Sequence, residues 1–141
     1  MSRQASLLAA DEVNFSISGK INVFGIYTTD INIFTDPSST TQLVFLFLIE
    51  TDPDDPYQEI TIRVDLPGGD TRQQVLAVKN FQDGAADKIR WSLKQPLLFQ
   101  GPILRPGPIV AQVIHEKGIL FPAAPFIVMH PQVAQKTIET H

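Results

Sequence analysis

The chain contains no cysteine, which excludes a disulfide scaffold and any zinc site built on thiolates. No apolar run approaches the ~20 residues that a membrane-spanning helix requires. Before the acids Asp11 and Glu12, the N-terminus offers only residues 7–10 as an apolar stretch. That falls short of a secretory signal, which needs a longer apolar region and a cleavage site. A cytoplasmic protein without a membrane partner is the expectation. Basic residues are also few: eleven Lys and Arg stand against fifteen Asp and Glu, for a net charge of −4. They are scattered, whereas a nucleic-acid surface clusters them to displace counterions from phosphates. No nucleic-acid partner is expected.

Motifs for chemistry are missing too. There is no Gly-x-Ser-x-Gly elbow and no His-Glu-x-x-His. The loop Gly101-Pro102-Ile103-Leu104-Arg105-Pro106-Gly107 lacks the Gly-Lys-Ser/Thr ending of a phosphate loop, and its prolines remove backbone donors. The three histidines, His115, His130 and His141, match no zinc spacing. His115 reads as a half-exposed strand residue near a hairpin. Nine Phe, two Tyr and one Trp look like core composition rather than a sugar-stacking platform. No enzyme is expected.

What the chain does have is size, apolar content and punctuation. Its 141 residues suit one domain, residues 1–141, with 131–141 as a C-terminal tail. Hydrophobic residues make up 43%, enough for a core without metal or disulfide. Eleven prolines and eight glycines cut the sequence into short pieces. Val13, Phe15 and Ile17 alternate with polar residues, which predicts a strand with those three inward. Gly19-Lys20 predicts a tight hairpin turn, and residues 21–27 the return strand. Ile60, Ile62, Val64 and Leu66 alternate with Thr61, Arg63 and Asp65, as in a strand with one wet face. Strands are also predicted over residues 74–81, around Ile89, Trp91 and Leu93, and over 109–116. Lys117-Gly118 predicts another hairpin turn, and Pro122 and Pro125 make its return strand broken or an edge. Residues 36–39 and 100–108 read as loops, and no stretch has convincing helical periodicity. Roughly seven to nine strands without intervening helices predict an all-β fold, an antiparallel two-sheet β-sandwich of immunoglobulin-like or C2-like architecture.

The opening carries a resemblance. Ala9-Ala10-Asp11-Glu12-Val13 followed by Gly19-Lys20-Ile21-Asn22-Val23-Phe24-Gly25-Ile26-Tyr27 resembles a family of small bacterial β-proteins of unknown function. Its members show a short apolar strand ending in an acid, a Gly-Lys hairpin, and an apolar strand closing on Gly. Residues 94–99, Pro106-Gly107 and residues 109–128 fit the later part of the pattern, although the prolines in 119–126 make that run less regular. The resemblance spans about residues 5–128. It implies a sandwich domain and brings no activity and no catalytic residue.

Two features point toward function. Glu50, Asp52, Asp54 and Asp55 place four carboxylates within six positions at a strand end. Such oxygens can ligate a hard cation such as calcium, and Asp83 and Asp87 could join them from another loop. Asp and Pro are equally ordinary turn formers. The second feature is residues 43–49, seven consecutive apolar positions. Leu43, Phe45, Phe47 and Ile49 supply one face of that strand, and Val44, Leu46 and Leu48 the other. One face fills the core, and the other must be covered, because each such side chain gains roughly 1.5–3 kcal/mol on burial. The cover is either internal (residues 100–108, Leu7-Leu8 or the tail) or another chain. Val44, Leu46 and Leu48 are therefore the candidate interface of a homo-oligomer or of a complex with a partner protein. The reading that follows is a non-enzymatic interaction or structural module that self-associates. A ligand-binding domain using the acidic end loops is the alternative.

Overall fold

The computed structural model describes residues 3–28, 30–78, 91–122 and 126–130. The fold is all-β, and none of the described residues is helical, so no helix among them is long and apolar enough to cross a membrane. Thirteen strands follow one another among the described residues. They are β1 (Gln4–Phe15), β2 (Ile21–Tyr27), β3 (Asp30–Asn32), β4 (Ser38–Ser39), β5 (Gln42–Thr51), β6 (Ile60–Asp65) and β7 (Thr71–Leu76). After these come β8 (Trp91–Gln100), β9 (Ile103–Leu104), β10 (Gly107–Pro108), β11 (Val110–His115), β12 (Gly118–Leu120) and β13 (Ile127–Met129). The count exceeds the expected seven to nine. Seven strands have six residues or more, and the other six are two- or three-residue pieces. Three of those pieces, β4, β9 and β10, lie in segments that read as loop, a composition that permits a bridge or two of pairing but no long ladder.

The apolar run of residues 43–49 becomes β5, which lies inside the antiparallel sheet β2-β1-β5-β8. A strand with neighbours on both sides and apolar cover on both faces has no wet position to alternate with. β8 carries Pro96 and forms an edge of this sheet, where a missing N–H costs no ladder bond. The second antiparallel sheet has the order β12-β11-β6-β7. Its β6 is buried at Ile60, Ile62 and Val64 and half-buried between them, as the alternation predicts.

Two turns differ from expectation. In the first hairpin, Gly19 N–H donates to the Ser16 carbonyl at 3.1 Å and Ser16 N–H to the Lys20 carbonyl at 2.8 Å. Gly19 has φ +83°. This is a three-residue loop, Ile17-Ser18-Gly19, whose last residue needs the left-handed conformation. In the second hairpin His115 pairs with Gly118, so the turn residues are Glu116 and Lys117. A further departure is a parallel pair: β13 runs alongside β3 in the small sheet β10-β13-β3, which breaks the expectation of purely antiparallel pairing. β4 and β9 make a fourth, two-stranded sheet.

One hydrophobic cluster holds these sheets together. It takes Leu7, Phe45, Phe47 and Leu97 from the first sheet, Ile60, Ile62, Val64 and Val113 from the second, and Ile31 and Val128 from the third. Phe45 sits at its centre, edge-on to Phe99 at 5.7 Å and to Phe126 at 6.5 Å. Trp91 joins the cluster as expected. Ile89, residues 79–81 of one expected strand, and the tail lie outside the described residues.

Candidate functional site

The acidic loop follows β5 and closes on itself. Asp55 N–H donates to the Asp52 carbonyl at 3.0 Å, and Thr51 Oγ1 donates to the Asp55 carbonyl at 2.7 Å. The Asp55 carboxylate faces cations of the chain itself: Arg3 Nη2 lies 3.2 Å from Oδ1, and Lys117 Nζ 2.7 Å from the same oxygen. Asp54 points to solvent. Glu50, Asp52, Asp54 and Asp55 do not gather into a ligand shell, and no group of three or more Asp, Glu, His or Cys among the described residues is placed to hold a metal. A guanidinium and an ammonium beside Asp55 repel the cation that the carboxylate would have to bind. Asp83 and Asp87 lie outside the described residues. Nothing in this geometry favours the calcium reading.

Arg3 is what the loop is built around. Its side chain is only 6% exposed. Nε donates to Asp55 Oδ2 at 3.3 Å, Nη2 to the Pro56 carbonyl at 2.8 Å, and Nη1 to His115 Nδ1 at 2.8 Å. Nη2 also lies 2.6 Å from Glu116 Oε2, an ion pair rather than an aligned hydrogen bond. The guanidinium carbon stands 4.5 Å from the centre of the Tyr57 ring, a cation–π contact. Tyr57 in turn meets Trp91 and His115 edge-on. The first residue before β1, the loop after β5 and the β11–β12 turn are thereby tied at one point.

Electrostatics follow from that geometry. Contact with Arg3 holds the Glu116 carboxyl at about 2, against partial desolvation. Burial, and then the Arg3 charge, push the His115 imidazole below its ordinary value. Since Arg3 can only donate, His115 Nδ1 accepts and carries no proton. It accepts the Lys117 backbone N–H as well, at 3.3 Å. The nitrogen that a general base would offer is occupied by structural partners. An apolar cavity of about 190 Å³ lies elsewhere, against Leu7, Ile109, Val110, Ala111, Phe121, Pro122 and Phe126, and its lining carries no acid, base or nucleophile.

The proposed interface on β5 is found largely covered. Val44 and Leu46 are 3% and 2% exposed within the single chain, and Leu48 is half-buried. Val44 is flanked across the sheet by Ala10 and Leu98, and Leu46 by Leu8 and Pro96. Ala10, Val44 and Leu46 are buried hydrophobics outside the central cluster, so β5 does bury a second face. Two of its three candidate residues are already out of water without a partner.

Exposed apolar side chains occur on several elements, and four of them lie on the β1–β2 hairpin. β1 pairs with β5 only through Ala10, whereas its pairing with β2 continues to Phe15. Among the described residues, the distal half of the hairpin is thus a two-stranded ribbon with no third strand. Phe15, Phe24 and Ile26 are each about half exposed, and Ile17 at the tip is fully exposed. Val13, Phe15 and Ile17, expected to point into the core, continue the core-facing side of β1 past the end of the core. Where the ribbon leaves the sheet, Gly25 has φ +67°, and a β-carbon there would collide with the Asp11 carboxylate. That carboxylate accepts the Tyr27 hydroxyl at 2.8 Å.

Burial, and after it the bond to Asp11, push the Tyr27 phenol up to about 12. An absorbance titration is expected to show one of the two tyrosines ionising near there, and Asp11→Asn to bring it down. A raised phenol contributes stability below its unfolded value of 10.0, and that contribution is lost as pH rises through about 12. No protein-family model, curated protein or solved structure matches the chain.

Proposed function

We propose that the chain is a two-sheet sandwich, immunoglobulin-like or C2-like in build, that serves as a non-enzymatic, self-associating interaction or structural module. The sandwich reading is supported by the single cluster that draws on both four-stranded sheets. The observation that carries the function is the half-bare hairpin. A lone two-stranded ribbon is at best marginally stable in water, yet this one extends beyond its sheet with Phe15, Ile17, Phe24 and Ile26 in solvent. Phe24 and Ile26 lie on one face of the ribbon and Phe15 on the other, so each face offers apolar side chains that another protein can cover. The non-enzymatic reading draws on the polar cluster as well. Its guanidinium, imidazole and two of its carboxylates are engaged with one another, which suits a clamp better than a reaction. Native mass spectrometry is expected to give a multiple of the 15.6 kDa chain mass. A bare monomer persisting at roughly 100 µM, where even weak pairs associate, would sink the self-association.

A further inference from the structure

We infer that the partner is a second copy of the chain, and that the two copies join edge to edge along β2 in antiparallel order. The four-stranded sheet then continues as one sheet across the dimer. The inference rests on the self-association proposed above and names its surface.

An open strand edge is a template for pairing, and proteins blunt it with lysine, proline, short length or bulges. Among the described residues the two main sheets have four edges: β2, β8, β12 and β7. β8 carries Lys94 and Pro96, β12 is three residues long, and β7 reads Thr71-Arg72-Gln73-Gln74 over its first four positions. β2 has no lysine and no proline, and the break in its extended backbone, Gly25 at φ +67°, falls beyond Val23. Its seven residues, Ile-Asn-Val-Phe-Gly-Ile-Tyr, include no charge and no proline.

The hairpin also sets which backbone groups face outward. Ser16 bonds Lys20 across the turn. In an antiparallel ladder bonded pairs alternate with unbonded ones, so with the register Asn14↔Asn22 and Glu12↔Phe24 the even residues of β2 bond to β1. The N–H and C=O of Ile21 and Val23 then point to the open side. A two-fold axis at Val23 sets Val23 against its own copy and Phe24 against Asn22. The two Phe24 rings fall on a diagonal that aromatic side chains can span. No like charges meet, because the strand has none.

The test compares the native chain, Val23→Pro and Phe24→Glu by native mass spectrometry over a dilution series. Val23→Pro removes an outward N–H and leaves the β1–β2 ladder intact. Both substitutions are expected to raise the dimer dissociation constant at least ~100-fold. If both variants dimerise like the native chain, the β2 edge is overturned while self-association stands on another surface. If the native chain is a monomer, the self-association reading falls with it. Should Val23→Pro fail to fold, amide exchange on the native dimer decides. Slow exchange at Ile21 and Val23 that becomes fast on dilution supports the edge, and fast exchange in the intact dimer overturns it.

Discussion

Replacing Arg3 with alanine is expected to lower the unfolding free energy by about 2–4 kcal/mol. Breaking a fully buried ion pair from one side costs roughly 3–5 kcal/mol, because the abandoned charge stays desolvated. The figure here is smaller on two grounds. The Asp55 and Glu116 side chains keep 26% and 19% exposure, and Lys117 remains on Asp55. The lost stacking on Tyr57 adds to the cost. Arg3→Lys restores the charge but not the fork that serves Asp55, Glu116 and His115 at once, so it is expected to recover only part. A readout that mere packing would not move is the acid limb of stability. Glu116 is held at about 2, below its ordinary 4.5. Its contribution is therefore fully present above 4.5 and is lost as pH falls through about 2. His115 is lowered from 6.5, so its contribution is likewise present above 6.5 and lost on acidification. Urea unfolding between pH 2 and 7 should show the native chain weakening over both ranges. In Arg3→Ala the lower range should shift up toward ordinary carboxylate values. An unchanged acid limb would mean that Arg3 does not hold Glu116.

How much of this was legible in the sequence follows from what each residue's environment depends on. The apolar run at 43–49 and the alternation at 60–66 have few ways to be satisfied, and both strands appear where expected. Val13, Phe15 and Ile17 show the limit. Alternation says that one side of a strand is apolar, and not whether another sheet reaches over it. The partner strand β5 stops pairing at Ala10, and nothing near residue 15 announces this. At Val44 and Leu46 the apolar second face left internal cover and another chain both open, and the chain covers those two residues itself. The acidic loop was noticed for its carboxylates, but its meaning lay in Arg3. Asp55 and His115 stand 52 and 112 residues from that arginine, and a lone basic residue near the start of a chain carries no local pattern. The pairing of the small sheets was not legible for another reason: ladders of two or three residues are made by tertiary proximity, not by propensity.

Two phenylalanines on neighbouring parts of the same sheet should respond to substitution in opposite ways. Phe45→Ala is expected to cost about 3–5 kcal/mol. The side chain has no solvent exposure and is ringed by Phe99 and Phe126, so its loss removes transfer energy, leaves a cavity in a cluster shared by both main sheets, and forfeits two edge-to-face contacts. A domain with a total stability of roughly 5–15 kcal/mol is left marginal by that change. Phe24→Ala removes the same ring from a site about half open to water, where little transfer energy was gained on folding and no cavity can form. It should change monomer stability by no more than about 0.5 kcal/mol. Urea unfolding at a concentration low enough to keep the chain monomeric separates the two. At high concentration the order of importance shifts: Phe24→Ala should then lose apparent stability relative to the native chain, because association stabilises only what can associate. If Phe24→Ala is instead as destabilising as Phe45→Ala at every concentration, the hairpin is held by its own fold and not by a second chain.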